Sequence, residues 1–284
     1  MPLPSVDAAY RACRAITHKH GANFSVGFRF LPAAKRRAVY AAYAYCRWAD
    51  DIADEGGGNV LERLDEWQLE LDRCYAGHPT QPITIALADS LERFAIPKGA
   101  FLDLIEGCRQ DTVKTRYAAF EDLLYYCHLV ASSISDISLS IFGYDGDDAV
   151  AHGRSLATAL QLTNITRDIG DDLERDRIYI PAEELERFGV SEADLAARRG
   201  TPEFERLVLF QIERAEEYFR RAEPLLKELT FDARFPTLLM GAVYARVLAK
   251  IRREPSAPLQ RRVALSTGEK IRVVAARMFE PHFV

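Results

Sequence analysis

Residues 156–172 read Leu-Ala-Thr-Ala-Leu-Gln-Leu-Thr-Asn-Ile-Thr-Arg-Asp-Ile-Gly-Asp-Asp, and this stretch decides the fold class. Residues 156–166 are apolar nearly all the way round a helix, which is typical of a helix buried inside a bundle. Residues 38–54, Ala-Val-Tyr-Ala-Ala-Tyr-Ala-Tyr-Cys-Arg-Trp-Ala-Asp-Asp-Ile-Ala-Asp, repeat the pattern. Each stretch runs directly into a group of aspartates. The sequence therefore predicts two buried helices that end in carboxylates.

The rest of the chain also has the character of an all-α protein. β-branched residues do not alternate with polar ones, and the segments between glycine and proline breaks are too long for strands. The breaks are short and no change of composition marks a linker, so we predict a single domain over residues 1–284. Helices are predicted at 5–20, 32–54, 59–76, 81–94, 97–113, 119–142, 147–173, 182–188, 191–198, 202–229, 234–253 and 266–280.

Composition excludes several classes of function. Of the 284 residues, 48% are hydrophobic, which is enough for a substantial core. A formal net charge of −5 offers no basic surface for nucleic acid. No apolar run approaches a membrane span and no secretory signal is evident, so we expect a cytoplasmic protein. The five cysteines are widely spaced, which predicts buried, reduced thiols, and the six histidines form no zinc motif.

The aspartates share helix faces with other polar side chains. Because successive helical residues are about 100° apart, four side chains of the first stretch fall within roughly 60° of arc. They are Tyr43, Arg47, Asp50 and Asp54. Four side chains of the second stretch fall within roughly 80° of arc by the same geometry. They are Gln161, Asn164, Asp168 and Asp172.

Two such rows are expected to face each other across a cleft and to bind a cation. Carboxylates four residues apart on a helix repel each other, and burial without a partner would be strongly unfavourable. Since the candidate ligands are all oxygens, the expected ion is Mg²⁺, completed by substrate phosphate oxygens. Metal-bound diphosphate leaves readily, and apolar helices would shelter the resulting carbocation. A solvated helix end is the alternative for either cluster alone, but both lie where the helix dipole disfavours acids.

The motifs around these rows resemble those of the squalene/phytoene synthase family of head-to-head prenyl transferases. The similarity runs from about Tyr10 to about Leu248. It includes Tyr43-x-x-x-Arg47-x-x-Asp50-x-x-x-Asp54, Asn164-x-x-Arg167-Asp168-x-x-x-Asp172 and Arg177-Ile178-Tyr179-Ile180-Pro181. The resemblance implies an isoprenoid synthase-type helical bundle around a central cavity. It also implies that Mg²⁺ and the diphosphates are held by Asp50, Asp54, Asn164, Asp168 and Asp172.

The same resemblance implies roles for neighbouring side chains. Catalytic roles fall to Tyr43, Arg47, Tyr126, Arg167 and Tyr179. Substrate-binding roles fall to Phe24, Phe28, Gln161, Arg177 and Tyr244. Ordinary packing is the alternative for the two phenylalanines and for Tyr244. The arginines suit phosphate because a guanidinium binds two oxygens at once.

Two segments depart from the usual family pattern. Asn23-Phe24-x-x-Gly27-Phe28 replaces the common Ser-x-Ser-Phe flap and is similar to the bacterial hopanoid branch, which makes presqualene diphosphate. Ser132 and Ser135 stand where the family more usually has glycine. Their extra atoms would either narrow the prenyl channel or position water or a diphosphate oxygen, and both alternatives stay open.

The main hypothesis is condensation of two farnesyl diphosphates to presqualene diphosphate, with Mg²⁺ and without NADPH. Alternatives within the family are a squalene synthase that uses NADPH, a phytoene synthase and a dehydrosqualene synthase. A non-catalytic relative acting as an assembly factor is a further alternative, disfavoured because every expected carboxylate is present. A prenyl diphosphate is the expected partner, and no obligate protein partner is evident. Since the product is a lipid, loose peripheral contact at the inner membrane is also predicted.

Overall fold

A computed structural model describes residues 3–20, 25–55, 59–278 and 281–284. These residues are mostly helical and form no β-strand, with only isolated bridges pairing Arg116 with Ile178 and Tyr144 with Leu229. The all-α fold class is confirmed. The α-helices are α1 (Val6–His20), α2 (Ser25–Phe28), α3 (Ala33–Glu55), α4 (Val60–Tyr75), α5 (Pro82–Leu91), α6 (Lys98–Asp111), α7 (Phe120–Cys127), α8 (Ser133–Phe142), α9 (Ala149–Arg167), α10 (Ile169–Leu173), α11 (Ala182–Phe188), α12 (Glu192–Ala196), α13 (Pro202–Ala222), α14 (Leu225–Glu228), α15 (Phe231–Ile251), α16 (Ala257–Gln260) and α17 (Thr267–Arg277).

Most predicted helices are present with small differences at their ends, but three are interrupted. The helix predicted at 119–142 contains a π-turn, His128–Ser132, between α7 and α8. The helix predicted at 147–173 is interrupted at Asp168, whose φ of −102° and ψ of 13° depart from helical values. The helix predicted at 202–229 ends at Ala222, close to Pro224, which has no N–H to continue the hydrogen-bond ladder. The short helices α2 and α16 were not predicted.

The chain forms two compact units, each assembled from three separate segments. The first contains Met1–Val113, Ser133–Val150 and Lys227–Thr237, and the second contains Lys114–Ser132, Ala151–Leu226 and Leu238–Val284. Because each unit draws on distant parts of the sequence, the short breaks between helices gave no sign of this division. The single domain over residues 1–284 stays a prediction.

Helix α3 lies at the centre of the first unit and contacts α1, α4, α5, α6 and α8. Most of residues 38–46 are buried, which confirms the predicted buried helix. The Tyr45 ring stacks on Trp67 with centroids 4.7 Å apart, and Phe101 meets it edge-on at 5.0 Å. The Tyr45 hydroxyl donates to the Trp67 carbonyl at 3.1 Å, and the Trp67 indole donates to the Tyr45 carbonyl at 3.2 Å. These contacts fix α3 against α4 and α6.

Helix α9 is the buried helix of the second unit. Six apolar and threonine side chains from Leu156 to Leu162, and then Thr163, Ile165 and Thr166, are largely shielded from solvent. The threonine hydroxyls are satisfied within the helix, since Thr163 donates to the Ala159 carbonyl at 2.7 Å. A buried helix can therefore carry these polar residues without unpaired groups.

All five cysteines are buried and unpaired, as predicted. Burial raises the pKa of the Cys13 thiol to about 12, so this side chain stays a neutral thiol at physiological pH. In the described parts of the chain, no helix combines the length and apolar character needed to cross a membrane.

Candidate active site

The first row of polar residues lies at the C-terminal end of α3. The guanidinium of Arg47 bonds the Asp51 carboxylate one turn later on the same helix, while its Nε is buried without a hydrogen-bond partner. Asp50 is partly buried, and the Cys108 thiol donates to its Oδ1 at 3.5 Å. Asp54 is exposed, and Tyr43 is partly buried. The structure therefore gives the two predicted aspartates different surroundings.

Burial raises the pKa of the Asp50 carboxyl to about 7. The nearby Arg47 and the Cys108 thiol oppose this effect, and the neighbouring carboxylates of Asp54 and Asp111 add to it. In the absence of a cation, Asp50 is thus largely protonated below neutral pH. A divalent cation beside it would restore the charged form, which is the behaviour expected of a metal ligand.

The second row continues across the break between α9 and α10. The Asp168 N–H donates to the Asn164 carbonyl at 2.8 Å, and the Asp172 N–H donates to the Asp168 carbonyl at 2.9 Å. These two bonds keep helical spacing through the interruption, so the three side chains stay in one row as predicted. The Asn164 Oδ1 is buried and has no hydrogen-bond partner. An oxygen without a donor at this place suits a hard cation such as Mg²⁺.

Two arginines bind the Asp168 carboxylate. Arg167 Nε donates to Oδ1 at 2.7 Å, and the same guanidinium also bonds Oδ2. Arg262 Nε lies 2.9 Å from Oδ1. Burial by itself would lower the pKa of Arg167, but the hydrogen bonds and charges of Asp168 and Tyr244 together outweigh burial, and the pKa is raised. Arg167 therefore keeps its charge although its side chain is almost completely buried.

Tyr244 joins this group from α15. Its side chain is buried, and its hydroxyl is hydrogen-bonded with Arg167. Burial raises the pKa of the Tyr244 hydroxyl, while the Arg167 guanidinium opposes the rise. Tyr244 is therefore more than a core residue, because its hydroxyl helps to orient the Arg167 guanidinium next to the row of Asn164, Asp168 and Asp172.

Tyr126 and Tyr179 also lie together, as the predicted catalytic set requires. Their rings stack with centroids 5.3 Å apart, and Tyr117 stacks on Tyr179 at 5.7 Å. The ammonium of Lys114 lies 4.6 Å from the centre of the Tyr117 ring. Stacked electron-rich faces of this kind can stabilise a cation without reacting with it. Tyr179 borders a small hollow that Asp172 and Arg177 also line.

Three further predicted substrate contacts are Phe28, Gln161 and Phe24. Phe28 is buried, and its ring meets Tyr40 edge-on with centroids 6.4 Å apart, while its contact with substrate stays a prediction. Gln161 is partly buried on α9. Phe24 lies outside the described residues.

Sequence reasoning missed Arg262, Tyr117 and Cys108. Arg262 is 94 residues from Asp168 in sequence, and only the fold brings them together. Cys108 lies in an apolar helical context that indicated a structural thiol. No local sequence pattern marks Tyr117. Its place beside the site follows only from the fold, where the adjacent Arg116 forms an isolated bridge with Ile178.

The donor set is consistent with a magnesium site that needs outside ligands. Among the described residues, no three His, Cys, Asp or Glu side chains come together closely enough to hold a metal ion. A bound Mg²⁺ would therefore take further oxygens from Asn164, from water or from a substrate phosphate, which this ion accepts readily. The carboxylates, the unpartnered Asn164 oxygen and the nearby arginines fit that kind of binding.

The family model for squalene/phytoene synthase matches residues 17–269. The chain belongs to this family. It is 36% identical to a 15-cis-phytoene synthase of Synechocystis sp., with 95% of this chain and 84% of the relative covered. It is 33% identical to phytoene synthase 3 of Zea mays, with 88% of this chain and 61% of the relative covered. Family members are head-to-head prenyl transferases, so the recognition from sequence is confirmed.

Two solved structures have the same fold. The squalene synthase HpnC from Alicyclobacillus acidocaldarius is 34% identical, with a TM-score of 0.83 over 89% of this chain and 96% of its own. A dehydrosqualene synthase solved with a ligand is 27% identical, with a TM-score of 0.88 over 95% of both chains. The curated sequence relatives favour the phytoene synthase alternative over the presqualene diphosphate hypothesis, and HpnC is a structural neighbour only.

Proposed function

We propose that this protein joins two C20 prenyl diphosphates head to head, with release of diphosphate, as a phytoene synthase. The similarity to 15-cis-phytoene synthases over 95% of the chain supports this choice of product. The observation that carries the chemistry is the row of Asn164, Asp168 and Asp172, where a buried amide oxygen without a partner lies beside two carboxylates. We further propose that the α3 row serves the same reaction.

Mg²⁺, when bound, would supply the positive charge that stabilises the departing diphosphate. The protein's own residues then have separate tasks. Arg167 and Arg262 would hold phosphate oxygens as well as the Asp168 carboxylate, and Arg167 is kept in place by the Tyr244 hydroxyl. Tyr126 and Tyr179 would present ring faces to an allylic cation. Their burial keeps water away, so the cation is not quenched.

Condensation of two farnesyl diphosphates to presqualene diphosphate is the second candidate. The likeness to squalene synthase HpnC, at 34% identity, supports the C15 substrate of this candidate. The Asn23-Phe24-x-x-Gly27-Phe28 sequence supports it as well. NADPH is not expected in either reaction.

Mass spectrometry of the products from C15 and C20 prenyl diphosphates, each with Mg²⁺ and with or without NADPH, tests both candidates. A C40 hydrocarbon formed from the C20 substrate without NADPH is the expected result. Presqualene diphosphate from the C15 substrate would support the second candidate, and squalene formed only with NADPH would favour the squalene synthase alternative. Absence of product and of diphosphate release with every substrate would contradict an enzymatic role and favour an assembly factor.

A matched pair of variants tests the metal row. Asp172→Asn removes a proposed ligand, whereas Asp171→Asn removes an exposed neighbouring carboxylate of α10. We expect the first to lower kcat/KM by about a hundredfold or more, and the second to stay near the wild-type value. Equal activity of the two variants would refute the assignment of Asp172.

Loose contact with the inner membrane stays a prediction, which flotation with liposomes checks.

A further inference from the structure

The first unit contains a cavity of about 510 Å³ that shares no residue with the two aspartate rows. Its walls come from α1, from α3 and from the segment between α2 and α3. The lining residues are Asp7, Tyr10, Arg11, Arg14, His18, Arg29, Arg36, Arg37 and Tyr40. A volume of this size is sufficient for a phosphate group together with the moiety that carries it.

The cavity is strongly cationic, with five arginines and a single carboxylate. Among the described residues, only one of these arginines is neutralised by a carboxylate, since Arg37 bonds Asp7 at 2.8 Å. Arg36 donates to the backbone carbonyls of Arg29 and Leu31, which carry no net charge. On a chain with a formal net charge of −5, such a local excess of positive charge needs an explanation.

Arg11 and Arg29 are the two cavity arginines whose guanidiniums form no hydrogen bond within the described residues. Within the ranges that the structure describes, neither forms an ion pair with a carboxylate, and both are exposed at the cavity. His18 confirms the sign of the local field. Burial lowers the pKa of its imidazole, and the charges of Arg14 and Arg29 lower it further. The neutral ring accepts a hydrogen bond from Arg14 Nε at 3.3 Å.

The floor of the cavity is rigid and aromatic. Tyr10 and Tyr40 are buried, and the Arg37 guanidinium lies 4.0 Å from the centre of the Tyr10 ring. The Tyr10 hydroxyl donates to Asp89 at 2.7 Å and lies 2.9 Å from the Ser90 hydroxyl. The arginines therefore stand around an aromatic surface that hydrogen bonds hold in place.

We propose that this cavity is a binding site for the phosphate group of an anionic ligand, held chiefly by Arg11 and Arg29. Several arginine donors around one open cavity suit the oxygens of a phosphate monoester or diester. That chemistry has two sources, a soluble phosphate monoester and the head group of an anionic phospholipid. The site is separate from the proposed active site, and it stands whether or not the proposed reaction is correct.

Glycerol 3-phosphate and lipid vesicles are suitable probes, used with EDTA to remove divalent cations. The test variant is Arg11→Gln/Arg29→Gln, and the control is Arg93→Gln/Arg253→Gln, which removes the same charge from exposed positions elsewhere. Calorimetry measures the dissociation constant for glycerol 3-phosphate. Flotation measures binding to phosphatidylcholine vesicles with and without phosphatidylglycerol. Far-UV circular dichroism checks that both double variants are folded.

A soluble ligand predicts that the dissociation constant for glycerol 3-phosphate rises about tenfold or more in the test variant and stays unchanged in the control. A lipid head group predicts flotation that requires phosphatidylglycerol and is lost in the test variant alone. Either result supports the site and identifies the source of the phosphate. The proposal is overturned if the folded test and control variants bind both probes equally, or if the wild-type protein binds neither.

Discussion

At the scale of single residues, Asp50 has a charged form that the protein disfavours when no cation is present. Its pKa is raised to about 7, chiefly by burial. The unfolded carboxyl titrates near 3.9. The contribution of Asp50 to folding stability is therefore complete below about pH 3.9 and is lost as the pH rises through 7. Asp50→Asn should therefore increase the free energy of unfolding of the metal-free protein at pH 8 by about 1–2 kcal/mol, after allowance for partial exposure.

Chemical denaturation in EDTA at pH 8 and at pH 4 measures this effect. The advantage of Asp50→Asn should shrink at pH 4, because the folded carboxyl is then neutral and only about half of the unfolded carboxyl is ionised. Asp103→Asn, which changes a partly exposed carboxylate of α6, is the control and should be close to neutral. A destabilised Asp50→Asn protein at pH 8 would show that Asp50 has a structural role.

Glu70 has the opposite behaviour. Its side chain is 4% exposed and accepts bonds from the Thr84 hydroxyl at 2.6 Å and from the N–H and hydroxyl of Thr80 at 2.6 and 2.7 Å. Burial would raise the pKa of Glu70, but these hydrogen bonds lower it below its ordinary value. Its contribution to stability is therefore complete above the unfolded pKa of about 4.3 and is lost as the pH falls below it.

Glu70→Gln should lower the free energy of unfolding by about 1–3 kcal/mol at pH 7, because the amide group presents donors to donors. The difference from wild type should decrease below about pH 4. Urea denaturation over this range is the measurement, with Glu66→Gln as the control at an exposed position of the same helix. A constant difference at every pH would mean that the amide disturbs packing and that the charge itself contributes little.

At the scale of elements, the position of α10 depends on a glycine. A Cβ atom on Gly170 would lie 2.8 Å from the Pro258 carbonyl oxygen and 2.9 Å from that of Leu259. Both obstacles are backbone atoms of the α16 segment, so α10 itself would have to move. Gly170→Ala should therefore displace Asp172 and lower kcat by about a hundredfold, since small misplacements of catalytic groups have effects of that size.

Steady-state kinetics with a prenyl diphosphate and Mg²⁺ measures this loss. Gly268→Ala makes the same change in α17, where no atom lies within 4 Å of the added Cβ, and it should leave activity unchanged. Arg198 also holds α10 and α16 together, because its guanidinium donates to the Gly170 carbonyl at 3.3 Å and to the Leu259 carbonyl at 3.0 Å. A fully active Gly170→Ala enzyme would mean that α16 moves instead of α10.

At the scale of the whole molecule, local patterns predicted the elements but not their long-range partners. The buried helices α3 and α9 were predictable because an apolar surface all round a helix requires burial. The residues that share each aspartate row were predictable from helical spacing alone. The approach of Arg262 to Asp168 could not be predicted, because 94 intervening residues leave no periodic signal. The π-turn at His128–Ser132 was missed for a related reason, since its residues are ordinary helix residues in sequence.

The two aspartate rows either bind one shared ligand or bind separate ligands. If both hold the same Mg²⁺-diphosphate complex, that ligand stabilises the folded chain by about 2.7 kcal/mol at a hundred times its dissociation constant. Asp54→Asn and Asp172→Asn should each remove most of the increase in Tm caused by Mg²⁺ and pyrophosphate. The double variant should then lose little more than either single variant, because one shared ligand can be lost only once. Differential scanning calorimetry measures these shifts, and Glu55→Gln/Asp171→Asn, which changes exposed neighbours in both rows, should keep the full increase. Losses that simply add would show that each row binds its own ligand, and the proposed reaction would then need a different arrangement of its metal ions.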